Sequence, residues 1–231
     1  MSLPRIDSPV FTIDLPSTGQ PVKFRPFTVK EEKLLLMASA SEDTTQVNDT
    51  IQQILQNCFI TEVDIDKLAV FDVEYLFIQL RAKSVNNVLQ VKFKGDDDEV
   101  YESEVDLDEV KVEFAEGHDN KIKLSEDVMI TMKYPSFGII DKLASTENAD
   151  LVHVLVNTID KVVNGEEVLE LSDYSYDEIA AFIESFTSRN MRDIEKFFET
   201  LPKLKLDVTY EERGTGIKKS REVVGLQSFF T

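Results

Sequence analysis

The sequence has no tryptophan, one cysteine, two histidines, eight glycines and seven prolines among 231 residues. These shortages narrow the possibilities. A lone cysteine, Cys58, forms no internal disulfide and no thiolate zinc cluster, which fits a reducing cytosol or a particle assembled there. With only His118 and His153, histidine-based triads and metal clusters have little to draw on. Positive charge is also scarce: 25 Lys and Arg stand against 44 Asp and Glu, a net charge of −19. Without a basic stripe to neutralise phosphates, nucleic-acid binding is not expected. Apolar runs are only a few residues long, so no membrane span is expected. The opening Met1-Ser2-Leu3-Pro4-Arg5 has no apolar core of the kind an export signal carries.

What is present suits a packed protein. Hydrophobic residues make up 42% of the chain, and a chain of this length can bury about 70% of its unfolded surface. The negative charge favours solubility; it also suits docking to a basic partner, or resistance to self-association before assembly. Aromatic residues are mostly phenylalanine, 15 against six tyrosines. Phe197-Phe198 and Phe229-Phe230 stand out, because adjacent rings on a helix point about 100° apart and cannot share one face. The final stretch, Gly225-Leu226-Gln227-Ser228-Phe229-Phe230, places two large rings where chain ends usually fray. Either the chain's own core or a partner must bury them. Leu226, Phe229, Phe230, Phe197 and Phe198 are therefore the candidate partner-binding residues.

Along the chain, Val10 to Ile13 and Val22 to Phe27 flank Pro16-Ser17-Thr18-Gly19 and predict a hairpin over 9–27. Thr28 and Glu31 form a capping box ahead of a helix through Leu34 to Met37. Val47, Ile51, Ile54, Leu55 and Cys58 share one helical face, making Cys58 a small buried hydrophobe. Segment 70–83 is apolar nearly all round, as expected of a central core helix. Period-two patterns then predict a hairpin across Gly95-Asp96-Asp97-Asp98 and short strands at 110–114, 121–124 and 128–134, together one small antiparallel sheet over 86–134. Helices are expected at about 149–163, from near Asp177, and through Met191 to Leu201 ahead of Pro202. A hairpin over 204–224 follows, turning at Gly214-Thr215-Gly216. The expected class is α+β, with helical N- and C-terminal parts around a small antiparallel sheet and a closing C-terminal hairpin. The expected parts are 1–85, 86–135 and 136–231, with no internal repeat and no low-complexity linker.

No pattern carries chemistry. Asp96-Asp97-Asp98-Glu99 is consecutive, whereas a calcium loop needs alternating carboxylates around a central glycine. Asp64 and Asp66 read as helix-capping carboxylates. Gly214-Thr215-Gly216-Ile217-Lys218-Lys219-Ser220 has the wrong spacing for a phosphate loop. His153 sits on an apolar helix and reads as packed, while His118 falls in a polar loop. No catalytic, cofactor-binding or metal-binding residue is assigned.

Several segments together resemble the baseplate hub proteins of T-even-like contractile-tailed bacteriophages. They are Leu15 to Gly19 with Lys23 to Phe27 and Val29 to Ala38, Phe71 to Phe77 running into Leu80 to Val85, Met132 to Ser136, Ile194 to Leu204, and Gly225 to Phe230. Asn86-Asn87 departs from the pattern where a glycine is expected. The resemblance implies a non-enzymatic protein of tail baseplate assembly, either a hub component or a hub assembly chaperone. Its implied partners are other tail or baseplate hub proteins, with no cofactor, no nucleic acid and no membrane span. Its implied place is the host cytoplasm during assembly and the virion tail baseplate. The alternative is a hub-associated hydrolase using paired carboxylates, which needs a deep cleft holding two facing acids.

Overall fold

The computed structural model describes residues 7–39, 44–96, 98–139, 151–213 and 215–224. The chain divides into two compact units, one of Met1–Glu113 with Lys203–Thr231 and one of Phe114–Pro202. The second unit is thus an insertion in the sequence of the first. Its boundaries differ from the expected division at 85 and 135.

The first unit begins with a hairpin of β1 (Phe11–Asp14) and β2 (Pro21–Phe24). Gly19 takes φ +70° in its turn, a conformation that costs glycine least. Three helices follow: α1 (Val29–Ser39), α2 (Thr44–Cys58) and α3 (Val70–Ser84). A second hairpin pairs β3 (Val88–Lys94) with β4 (Val100–Asp106). The last sheet has the order β11-β10-β5, from β5 (Lys111–Glu113), β10 (Lys203–Glu211) and β11 (Lys218–Val224).

Helix α3 is central to this unit, as its all-round apolarity predicts. Leu76, Phe77, Ile78 and Leu80 are fully buried, as are Ile51, Ile54, Leu55 and Cys58 of α2. Four polar side chains of α3 are engaged with particular partners, whereas Arg81 keeps a buried Nη1 with no hydrogen-bond partner among the described residues. Both carboxylate oxygens of Asp72 accept from Ser17, one from its N–H at 2.9 Å and one from its hydroxyl. Gln79 donates to the Leu107 carbonyl at 3.2 Å, and Ser84 accepts the Phe27 N–H at 2.9 Å. Lys83 pairs with Asp108 at 2.8 Å. Buried polar groups left unpaired are costly, so these bonds fix where the loops meet the helix.

The second unit is built on a four-stranded antiparallel sheet of order β6-β7-β8-β9. Its strands are β6 (Lys121–Lys123), β7 (Val128–Met132), β8 (Ile159–Asn164) and β9 (Glu167–Glu170). Among the described residues, α4 (Leu151–Thr158), α5 (Tyr176–Glu184) and α6 (Ser188–Glu199) accompany it. Capping boxes open the last two, Ser175 with Glu178 and Thr187 with Asn190. Ile130, Leu155, Ile159, Ile194 and Phe197 lie in one buried cluster.

The α+β class holds, but two expectations are corrected. The strands of 86–134 do not make one sheet. They contribute to three, because β5 pairs with β10 and β6 and β7 pair toward β8. The expected helix over 149–163 also stops at Thr158, where the chain becomes β8. Ile159, Val162 and Val163 are β-branched and prefer the pleated surface. Asn164-Gly165 then turns the strand back, with Gly165 at φ +60°, a strong hairpin signal.

The expected capping interaction at Thr28 is present and extended. Glu31 is only 2% exposed and accepts from the Thr28 N–H and hydroxyl, and from Arg25 at 3.1 Å. Burial alone would raise the Glu31 carboxyl, but the Thr28 bonds and the Arg25 guanidinium outweigh it and hold the carboxyl at about 2. A carboxyl depressed in the folded state adds stability above its unfolded value, 4.5, and loses it as pH falls toward about 2. Glu31→Gln is expected to lower unfolding free energy at neutral pH by about 3 kcal/mol. In urea titrations at stepped pH, that gap between variant and parent narrows below pH 4.5. A gap constant with pH contradicts the assignment.

Candidate functional site

Helix α6 organises the most featured surface of the second unit. Asn190 caps its first turn through Thr187 and also donates to the Leu124 carbonyl at 2.9 Å. That bond ties the start of the helix to the end of strand β6. Further along, Phe197 is buried in the core cluster, and Phe198 meets it edge-on with ring centroids 5.3 Å apart. Phe198 is half-buried against the same cluster.

His118 completes this aromatic group. Its ring stacks on Tyr134 at 5.8 Å and lies 5.1 Å from Phe197. Nδ1 is 2.9 Å from the Thr200 hydroxyl, which lies 2.8 Å from the Lys196 carbonyl. The hydroxyl hydrogen goes to that carbonyl, so Nδ1–H is assigned as the donor to Thr200. Nε2 is left buried with no hydrogen-bond partner among the described residues. His118 is therefore a packed side chain rather than an open loop residue. His153, expected to be packed, lies exposed on α4 with its ring 6.0 Å from Tyr176.

Between β6 and α6 lies a hollow of about 590 Å³. Lys121, Lys123, Arg189 and Lys196 line it, with Asp119, Glu126 and Asp193 as its acids. None of the four cations forms an ion pair among the described residues. A second, smaller hollow of about 250 Å³ is apolar, walled by Val162, Leu169, Leu171, Ile179 and Phe182.

The first unit uses its cations differently. Lys205 reaches Glu113 at 2.7 Å and Glu222 at 2.8 Å, joining β5, β10 and β11. Lys219 reaches both Glu212 and Asp96, so one acid of the Asp96 to Glu99 run is held by a lysine. Donating hydrogen bonds to these carboxylates raises both lysines above their ordinary range. Asp64 pairs with Lys67 at 2.8 Å, and Asp66 accepts from Gln52. Burial pushes the Cys58 thiol up to about 11, which leaves it protonated at neutral pH. Among the described residues, no three His, Cys, Asp or Glu side chains gather as a metal group.

A family model described as T4 bacteriophage base plate protein matches residues 8–231. The chain belongs to that base plate family. No curated protein and no solved structure matches it. The match bears out a T4-like baseplate protein with a role in the phage baseplate. No helix among its described residues is long and apolar enough to cross a membrane.

Of the residues expected to bind partners in this base plate protein, Leu226, Phe229 and Phe230 lie outside the described residues. The structure brings Phe197 and Phe198 together, with Phe197 committed to the core of its own unit. Sequence reasoning missed the cationic hollow. Its only local trace is Lys121-Ile122-Lys123, two like charges alternating with an apolar residue in a strongly acidic chain.

Truncating Phe197 to alanine empties a core position and is expected to cost about 3–5 kcal/mol. Phe198→Ala, losing a half-exposed ring, is expected to cost clearly less. Chemical denaturation of both variants measures the ordering, and equal losses contradict it.

Proposed function

We propose that this chain is a non-enzymatic protein of the baseplate hub, acting in tail assembly as a hub component or as a hub assembly factor. The family match over nearly the whole chain carries the reading. Supporting it, the side chains best suited to catalysis are committed to packing or structural bonds. The Cys58 thiol is buried, and His118 is half-buried against Tyr134, Phe197 and Thr200. Of the deeply buried carboxylates, Glu31 is held by Thr28 and Arg25, and Asp72 by Ser17. These bonds favour binding over carboxylate-dependent hydrolysis. The partners are other hub or tail proteins met in the host cytoplasm, and Leu226, Phe229 and Phe230 are the proposed anchors, since aromatic side chains concentrate interface energy.

Replacing Phe229 and Phe230 together by alanine is expected to reduce co-purification of tail proteins with the tagged chain from infected cells. Unchanged recovery overturns the anchor assignment. Mass spectrometry of purified virions separates the two roles: a component is present at fixed copy number, and an assembly factor is absent.

A further inference from the structure

The hollow between β6 and α6 combines two features that do not depend on each other. The first is charge. The inserted unit carries eight Lys and Arg against eighteen Asp and Glu over 114–202, yet half of those cations line this one hollow. Three acids, Asp119, Glu126 and Asp193, share the lining, so the hollow is net positive by one in a unit that is net negative by ten. Of these acids, Asp119 accepts the Lys121 N–H at 2.9 Å.

The second feature is an open strand edge. Strand β6 is the outermost of its sheet. The Met132 N–H donates to Asn120 and the Leu124 N–H to Val128, in a register that pairs Ile122 with Ile130. Hydrogen-bonded pairs alternate along an antiparallel ladder, so residues 120, 122 and 124 bond to β7. Lys121 and Lys123 direct their backbone groups to the other side. Among the described residues, nothing occupies the Lys123 N–H, the Lys123 carbonyl or the Lys121 carbonyl. The side chains of both lysines are exposed, while Ile122 is buried.

We propose that this edge is a docking site for an extended acidic segment of another polypeptide, which adds as a fifth strand beside β6. Backbone bonds along an edge supply affinity that is largely independent of sequence, and side chains select the partner. Carboxylates on such a segment meet Lys121 and Lys123 from the strand and Arg189 and Lys196 from the helix. The same charges repel a second copy of β6, as lysines on edge strands do. The hollow therefore favours an acidic partner and disfavours self-pairing. The inference rests on the reading that the chain works by being bound, but it can fail while that reading stands.

The test titrates the full chain with a fluorescent eight-residue peptide alternating glutamate and valine. Controls are the lysine-for-glutamate peptide and inorganic polyphosphate. The acidic peptide is expected to bind, and the basic one is not. The double variant K121E/K123E is expected to weaken binding at least about tenfold, and raised salt also weakens it. Hydrogen exchange on the unmodified chain gives a second readout, in which the Lys123 amide gains protection when the peptide binds. No binding at millimolar peptide, or binding without that protection, overturns the proposal. So does polyphosphate displacing the peptide completely at equal charge, which would mark a simple anion site. Self-association of the chain that K121E/K123E abolishes also overturns it, by making a second copy the occupant. If K121E/K123E recovers tail proteins from infected cells as the parent does, the docking site falls and the hub role remains.

Discussion

One helix sets the geometry of the first unit. Because α3 is apolar on nearly every side, it can be stable only if other elements surround it. Its few polar side chains decide which segments do so. Asp72 holds the turn of the first hairpin, Gln79 and Lys83 hold Leu107 and Asp108, and Ser84 takes the amide of Phe27. Hydrophobic burial is non-directional; these bonds give it direction. Asp72 incurs a cost for this role, since burial raises its carboxyl despite the Ser17 bonds. Glu31 shows the opposite balance, with Thr28 and Arg25 overcoming burial.

The two units put their scarce positive charge to different uses. Lys205 bridges acids of β5 and β11, and Lys219 bridges Glu212 and Asp96, which lie just beyond the ends of β10 and β3, so both stitch the β10–β11 region to its neighbours. Exposed pairs contribute little individually, so their main effect is to neutralise acids that would otherwise repel across the sheet. In the inserted unit, the four cations beside β6 form no ion pair among the described residues and outnumber the three acids of the same hollow. A strongly acidic protein that leaves a cationic strip open has a surface unlike the rest of itself, which suits selective association in a crowded assembly.

Local features were legible in the sequence, and pairings at a distance were not. The hairpins at 9–27, 88–105 and 204–224 could be read because alternation and turn residues are both local. The central helix could be read because fifteen residues with almost no polar face admit few alternatives. Segment 149–163 misled because Leu151, Leu155, Ile159 and Val162 fit a helical stripe, while Ile159 and Val162 fit a strand equally well. The Asn164-Gly165 turn was the signal that separates the two. Strand β5 was recognisable as a strand, but nothing in Lys111 to Glu113 names Lys203 to Lys205 as its partner. The cationic hollow was hidden for the same reason, since its charges come from segments more than sixty residues apart. Family membership was legible through the order of many unremarkable segments, none of which carries chemistry.

The pairing of Glu113 with Lys203 has a further consequence. The chain departs from one strand and comes back on its immediate neighbour, so the intervening 89 residues occupy the place of a hairpin loop. Closing so long a loop carries an entropy cost of about 4 kcal/mol, and a prefolded insert whose ends already lie close together removes most of it. During translation the insert is complete before β10 and β11 have been made, so it can mature while its host is still missing two strands. A host sheet that asks only for two adjacent ends can also accept inserts of other lengths and shapes, which leaves that segment free to diverge as partners change.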